Sequence, residues 1–180
     1  TIERCVVSDR GVVSARACVR ETSHTCLTPL GCCDGWWVVC RDIDRTFPRH
    51  VMFREDDSEG QRRLRRVLHA YSRHDPEVGY CQGMGFITAM LLTYFPEDEA
   101  FYMIDIIMNK RPAPIRRLYL PMMPRAQEMM FVADCVLHKF LPRLHRHLTA
   151  QGIHRSMFMT QWVVCIFTNS FPFEMVTRVW

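Results

Sequence analysis

A short glycine-rich block, residues 79–86 with the sequence GYCQGMGF, most constrains how this chain can fold. Before it, Leu64, Leu68 and Tyr71 recur at spacings of four and three, which predicts one face of an amphipathic helix. After it, residues 86–95 are apolar almost throughout, which predicts a buried helix. Glycine permits a tight turn and the close approach of another surface. The block therefore predicts a turn that presents Gln82 at the mouth of a buried helix.

The rest of the chain also predicts helices, and strand-like alternation is nowhere sustained. Ser58 and its acidic neighbours precede a helix over residues 61–73, since such residues favour a helix start. Pro96 and the acids after it begin another, which the prolines of residues 111–114 end. The fold class expected is all-α, an irregular array of short helices.

Three further helices are predicted in the second half of the chain. They cover residues 125–140, the residues after Pro142, and residues 158–168. Trp162 and Phe167 on the last of these are expected in the core. The helix over residues 125–140 is expected to bury Met129, Val132, Val136, Leu137 and Phe140.

Length and composition exclude several classes of protein. The chain has 180 residues, of which 48% are hydrophobic, which suits one globular domain with a sizeable core. A net charge of +4, with bases scattered among acids, argues against a nucleic-acid partner. No apolar run approaches the ~20 residues of a membrane span. The N-terminus also lacks the basic segment followed by an apolar segment that is typical of a signal peptide.

The cysteines and histidines do not predict a metal site. Six of the nine cysteines lie in the first 40 residues, without a C-x-x-C pair, so their spacing is poor for zinc. Free thiols of a cytosolic protein are the plainer interpretation, and Cys81, Cys135 and Cys165 are predicted to be small buried hydrophobes. Four histidines of the second half of the chain are expected to be surface or core residues and not metal ligands: His138, His145, His147 and His154.

Residues 1–38 differ in pattern from the rest. Gly, Ser, Thr, Arg and Cys alternate there without a period, which predicts an atypical, poorly ordered segment. Two explanations stay open: a stretch that is not native coding sequence, such as retained intron, and a divergent, loosely ordered N-terminal arm. Peptides spanning residues 20–45, detected in the natural protein by mass spectrometry, would exclude the first.

A second unusual stretch is residues 39–48, VCRDIDRTFP. Pro48 is incompatible with a helix interior and disfavours helical geometry in the residue before it. Residues 41–53 are therefore predicted to form a loop, with Arg45 at its edge and able to reach outward. Asp42 lies three residues before Arg45, which is one helical step and suits an ion pair.

Together the two stretches closely resemble the signature of TBC-domain Rab GTPase-activating proteins. The first motif of that family, I-x-x-D-x-x-R-T-F-P, stands here with Val39 in place of isoleucine, and the second, Y-C-Q-G-M, is residues 80–84. The tail, residues 162–180, is similar to the family's third block, W…F…F-P…R-[IV]-W-D. Residues 39–180 are accordingly expected to be the N-terminal and central part of a TBC domain that lacks its C-terminal helices. The family's R-G-x-x-W block is not found before the first motif.

The resemblance implies an activator of Rab GTPases rather than a hydrolase. It makes Arg45 the arginine finger and Gln82 the glutamine finger, both acting in trans. Asp42 would aim Arg45, and the loop around Gln82 would be shaped by Tyr80, Gly83 and Met84. The sequence has no P-loop, so GTP and Mg²⁺ are expected on the Rab partner, with no cofactor of the chain's own. A cytoplasmic protein, peripheral on endomembranes and serving vesicle trafficking, fits this reading.

Other readings stay open. A non-catalytic Rab-binding or scaffold fragment is favoured by the missing C-terminal helices and disfavoured by the intact Arg45 and Gln82. A generic helical interaction domain with chance motif matches is the third interpretation.

The predicted helix over residues 61–73 carries an arginine-rich face, formed by Arg62, Arg63, Arg65 and Arg66. This face is either a solvated surface or a contact for an acidic partner or lipid headgroups.

Overall fold

The computed structural model describes residues 33–110, 112 and 114–180, and these residues form helices and no strand. The predicted all-α array of short helices is confirmed. The chain divides into two compact units, Thr1–Pro114 and Ile115–Trp180. The first unit contains α1 (Cys33–Asp44), α2 (Glu59–His74), α3 (Met84–Leu92) and α4 (Glu97–Asn109). The second contains a 3₁₀ helix (Arg116–Leu118), α5 (Pro124–Phe140), α6 (Pro142–Ala150), α7 (Ser156–Val164) and α8 (Phe173–Val179).

Most of the predicted N-terminal segment cannot be compared with the structure. Residues 1–32 lie outside the described residues. Residues 33–38 belong to α1, so a helix crosses the predicted boundary at residue 38.

Helix α3 is the centre of the first unit. All of its residues, Met84–Leu92, are buried, as predicted from a sequence with no polar face. Helices α1, α2 and α4 each pack against it. Helix α2 contributes Leu64 and Tyr71 to this core, and α4 contributes Ile104, each no more than 2% exposed. The loop that carries Gln82 is thus attached directly to the core.

An ion-pair network joins α2 to α4 across the surface. The Arg66 guanidinium binds both oxygens of Glu97, with Nε–Oε2 at 2.8 Å and Nη2–Oε1 at 2.5 Å. This bond raises the pKa of Arg66, and a bond from Arg66 lowers the pKa of Glu59. Asp57 accepts bonds from two further arginines of the face, Arg62 and Arg65. The arginine-rich face is therefore paired extensively within the molecule, which favours the solvated reading over a contact for an acidic partner.

Helix α2 begins against a neighbouring backbone, and Gly60 makes that contact sterically feasible. A Cβ atom at Gly60 would lie 2.1 Å from the carbonyl oxygen of Met52 and 2.9 Å from its carbon. We expect Gly60→Ala to lower the free energy of unfolding by about 1–3 kcal/mol, because a backbone cannot move aside as a flexible side chain can. An unobstructed helical Gly→Ala change instead stabilises by up to about 1 kcal/mol. Urea denaturation measures the difference.

The control for this change is Arg73→Ala, at an exposed position of the same helix. It should alter stability by no more than about 0.5 kcal/mol. A Gly60→Ala protein as stable as the unsubstituted chain would mean that the start of α2 can shift away from Met52 at little cost.

In the second unit, α5 packs against the 3₁₀ helix, α6 and α7. Ala126 is buried at this contact, and the Tyr119 hydroxyl donates to the carbonyl of Val164 at 2.7 Å. The predicted burial of the other apolar residues of α5 is wrong, since Leu137 is half-buried and the rest are exposed. Exposed fractions range from 41% to 67% for Met129, Val132, Val136 and Phe140.

The exposed face of α5 has a physical explanation. Helical periodicity identifies an apolar face but does not supply the surface that covers it, and the described part of this unit leaves it open. With Leu141, the face lines a groove of about 490 Å³. Cys135, on the same helix, is exposed rather than buried, whereas the predicted burial of Cys165 is confirmed.

The end of α7 also differs from its prediction. The helix ends at Val164 rather than at residue 168, because Ile166 and Phe167 have positive φ angles of 46° and 64°. Trp162 and Phe167 are not buried as predicted. Their rings instead pack at the surface, with centroids 6.4 Å apart.

The described residues contain neither a membrane-spanning helix nor a metal-binding cluster. None of the helices in residues 33–180 that the structure describes combines the length and apolarity needed to cross a bilayer. Among the same residues, no three His, Cys, Asp or Glu side chains are grouped as a metal site would require. The Nε2 atom of His145 instead lies 3.5 Å from Oδ1 of Asp134.

Candidate functional site

The site begins where α1 ends. The prediction of a loop over residues 41–53 is wrong for residues 41–44, which are helical because α1 extends to Asp44. Proline interrupts a helix only at its own N–H and the turn before it, and the first proline after the start of α1 is Pro48. Arg45 therefore follows the last helical residue, and its side chain is 51% exposed. A cation is also favoured at this end of a helix by the backbone dipole.

A strained turn follows Arg45. Phe47 has a φ of 47°, and not the extended geometry predicted from the following Pro48. Its ring packs edge-on against the ring of Phe86, with centroids 5.6 Å apart, and at a tilt against the ring of Phe53, with centroids 6.3 Å apart. This packing offsets a backbone cost of order 1–3 kcal/mol. Thr46, fully buried, donates from Oγ1 to the carbonyl of Asp42 at 2.6 Å and so fixes the helix end.

Asp42 is the centre of the site. Its carboxylate is buried, with only 1% of the residue exposed. Oδ1 accepts from the Arg45 guanidinium, with Nε at 2.6 Å and Nη2 as a second donor. Oδ2 accepts from the Tyr80 hydroxyl at 2.5 Å and from the Gly83 N–H at 3.3 Å. A buried charge is tolerated when it is paired and hydrogen-bonded, and both oxygens meet that condition here.

The Gln82 loop is held on both sides of Gln82. Gly83, at the N-terminus of α3, has a φ of 105°, which side chains other than hydrogen rarely allow. That conformation directs its N–H to Asp42. Met84 is buried, and its Sδ lies 3.3 Å from the N–H of Cys81. The Gln82 side chain between these anchors is exposed.

The electrostatics of the loop keep its protons in place. Burial, and then the bond to Asp42, raise the pKa of the Tyr80 phenol, so it remains a donor at neutral pH. Burial and the charge of Asp42 also raise the pKa of the Cys81 thiol. Cys81 is half-buried and not fully buried as predicted. Because a thiolate is the reactive form, Cys81 is not poised as a nucleophile.

Two residues of the site were missed by sequence reasoning. Thr46 closes the end of α1, and Gly85 leaves room for the side chains that meet there. A Cβ atom at Gly85 would lie 3.2 Å from Thr46 Oγ1 and 3.5 Å from the Tyr80 hydroxyl. Both residues lie inside the two motifs, but spacing along the chain does not reveal that the motifs converge at this point.

Comparison with known proteins identifies the family. The family model described as the Rab-GTPase-TBC domain matches residues 38–180. The chain belongs to this family. The resemblance drawn from the motifs is thereby confirmed, and the helices α1–α8 are those of a TBC domain.

The relatives of this TBC domain include longer proteins. It is 40% identical over 142 residues to the human "Ecotropic viral integration site 5 protein homolog", covering 79% of this chain and 17% of that protein. It is 38% identical over 143 residues to the "Rab GTPase-activating protein eat-17" of Caenorhabditis elegans, covering 79% and 16%. The chain thus spans about a sixth of the length of these two relatives.

Solved structures share its architecture. The TBC domain of a Chlamydomonas flagellar RabGAP superposes with a TM-score of 0.67 at 31% identity, covering 82% of this chain and 48% of that one. The Ypt/Rab-GAP domain of Gyp1p superposes with a TM-score of 0.70 at 18% identity, covering 92% and 57%. The second likeness, at that identity, concerns the fold alone.

Proposed function

We propose that this TBC domain accelerates GTP hydrolysis on a Rab-family small GTPase by supplying Arg45 and Gln82 in trans. One observation carries the proposal. Arg45 and the loop of Gln82 are bound to the two oxygens of a single buried carboxylate, Asp42, while the side chains of both residues are exposed. Family membership supports the Rab class as the partner.

Arg45 suits a transition state in which negative charge is spread over phosphoryl oxygens. Its Nε and Nη2 pair with Asp42, and Nη1 takes no part in that pair. The guanidinium can therefore stay oriented by Asp42 while Nη1 reaches toward a phosphate. A prepositioned cation is effective because little reorganisation is needed during the reaction. Arginine fingers of this kind are worth roughly 10³–10⁵ in rate.

Gln82 suits the second requirement, a water molecule held in line with the phosphoryl group. Its amide both donates and accepts, so it can bind a water and a backbone group together. The exposed side chain stands on a loop fixed by Tyr80 and Gly83. In this proposal Gln82 takes over the role of the GTPase's own glutamine.

The partner would bring the nucleotide. GTP and Mg²⁺ belong to the Rab in this proposal, and the chain contributes side chains without a cofactor or a hydrolytic centre of its own. Peripheral association with endomembranes from the cytoplasm, in vesicle trafficking, follows from the location of such partners and is part of the proposal.

Single-turnover GTP hydrolysis across a panel of purified Rabs tests the function. We expect the domain to raise the rate for at least one Rab by roughly 10³-fold or more, and to leave a non-Rab small GTPase unaffected. Binding to the GTP form without acceleration would instead indicate the scaffold reading. If the domain binds no Rab and accelerates hydrolysis on none, the proposal is overturned.

A further inference from the structure

Asp42 lies between the two halves of the site. Its Oδ1 faces the Arg45 guanidinium, and its Oδ2 faces Tyr80 and the N–H of Gly83 at the start of α3. Tyr80 is 38 residues from Asp42, so this contact joins separate elements of the first unit. Arg45 and the loop that carries Gln82 are thus bound to one shared carboxylate.

We propose that Asp42 is a positioning residue that couples the two fingers, so that a change at either oxygen alters both Arg45 and the Gln82 loop. Its catalytic meaning rests on the proposed function, but the coupling itself is a property of the unbound chain. A carboxylate is a rigid planar group, so Oδ1 cannot keep its position if Oδ2 turns to find another partner. Tyr80 and Arg45 therefore influence each other through Asp42.

The Oδ2 side depends mainly on the Tyr80 hydroxyl. Its bond to Asp42 is 2.5 Å long, against 3.3 Å for the Gly83 N–H. Bonds to a charged acceptor are the stronger kind, and short ones more so. Without the hydroxyl, a buried oxygen would retain only the longer bond. The carboxylate would then rotate toward another donor and carry Oδ1 away from Arg45.

The Tyr80 hydroxyl can be removed by a single-atom substitution. Gly85 presents no side chain where the hydroxyl lies, and a Cβ atom there would approach it to 3.5 Å. Tyr80→Phe removes one oxygen and keeps the ring. The matched control is Tyr94→Phe, at a residue that is 61% exposed and lies outside both motifs.

The first test is NMR of the unbound protein labelled with ¹⁵N. We expect Tyr80→Phe to speed solvent exchange of both the Arg45 Nε–H and the Gly83 amide by about tenfold, the change expected for one lost hydrogen bond. Tyr94→Phe should change neither rate. If Gly83 responds while the Arg45 Nε–H does not, the two sides are independent and the proposal is overturned.

The reverse experiment guards against a folding defect in Tyr80→Phe. Coupling is reciprocal, so a change at Arg45 must be felt at Gly83. Arg45 is half exposed, and Arg45→Gln should leave the fold intact while speeding exchange of the Gly83 amide. The control is Arg49→Gln, at an exposed arginine outside the ion pair. An unchanged Gly83 amide in Arg45→Gln would also overturn the proposal.

Hydrolysis kinetics separate the coupling from the function. With a responsive Rab, we expect the rate lost through Gln82→Ala to be smaller in the Tyr80→Phe background than alone, because the loop is already displaced. Losses that multiply independently would overturn the coupling and leave the function standing. If no Rab responds while exchange still changes at both Arg45 and Gly83, the function fails and the coupling stands.

Discussion

Replacing Arg45 by lysine is expected to lower the stimulated rate of GTP hydrolysis on the order of 10³-fold, near the lower limit for an arginine finger. Lysine keeps the positive charge and can still pair with Asp42. It lacks the planar fork that holds the carboxylate with Nε and Nη2 while Nη1 extends to a phosphate. A single ammonium cannot do both in one fixed geometry, so most of the effect should appear in the rate rather than in binding.

The measurement is single-turnover hydrolysis on a responsive Rab, with circular dichroism to verify the fold. The structure supplies the control Arg49→Lys, an exposed arginine four residues away that is not one of the donors to the Asp42 carboxylate. That variant should retain the unsubstituted rate. Unsubstituted stimulation by a folded Arg45→Lys protein would refute the finger assignment.

Gln82→Ala is expected to lower the rate by about 10²–10³-fold, by analogy with the loss of other donors that act in the transition state. The side chain is exposed and the backbone is held by its neighbours, so the loop should keep its shape. Binding to a GTP-state mimic should fall much less, because only an interaction specific to the transition state is removed.

A Rab whose own catalytic glutamine is replaced by leucine sharpens this test. The unsubstituted domain should still stimulate that Rab, and Gln82→Ala should fail on both Rab forms. Gln151→Ala, at an exposed glutamine of the second unit, is the control and should act like the unsubstituted chain. Near-normal rates for Gln82→Ala on the normal Rab would make Gln82 a structural residue of the loop.

Sequence reasoning predicted elements whose surroundings are dictated by their own residues. Helix α3 could be predicted as buried because residues 84–92 offer no polar face, whatever packs around them. Asp42 and Arg45 could be paired because a spacing of three residues is one helical step and brings side chains together. Both arguments are local.

The failures came where a distant partner decides the outcome. No spacing indicates that the Tyr80 hydroxyl reaches Asp42, since that contact depends on how α1 and α3 pack. The aromatic contacts of Phe47 override the local preference of a residue before proline. The apolar face of α5 followed the helical period correctly, yet its burial needs a covering surface that periodicity cannot reveal.

The burial of α3 affects how relatives of this chain should be interpreted. Gly83 and the buried residues of α3 have a structural reason to persist, independent of any reaction, and the Tyr80 hydroxyl hydrogen-bonds a buried charge. A descendant without activity would keep those residues because its fold requires them. By contrast, the side chains of Arg45 and Gln82 are exposed, so packing places little demand on their identity. Under the proposed function, a genome survey should therefore find that these two exposed positions distinguish active from inactive domains, while the intact motif around them does not.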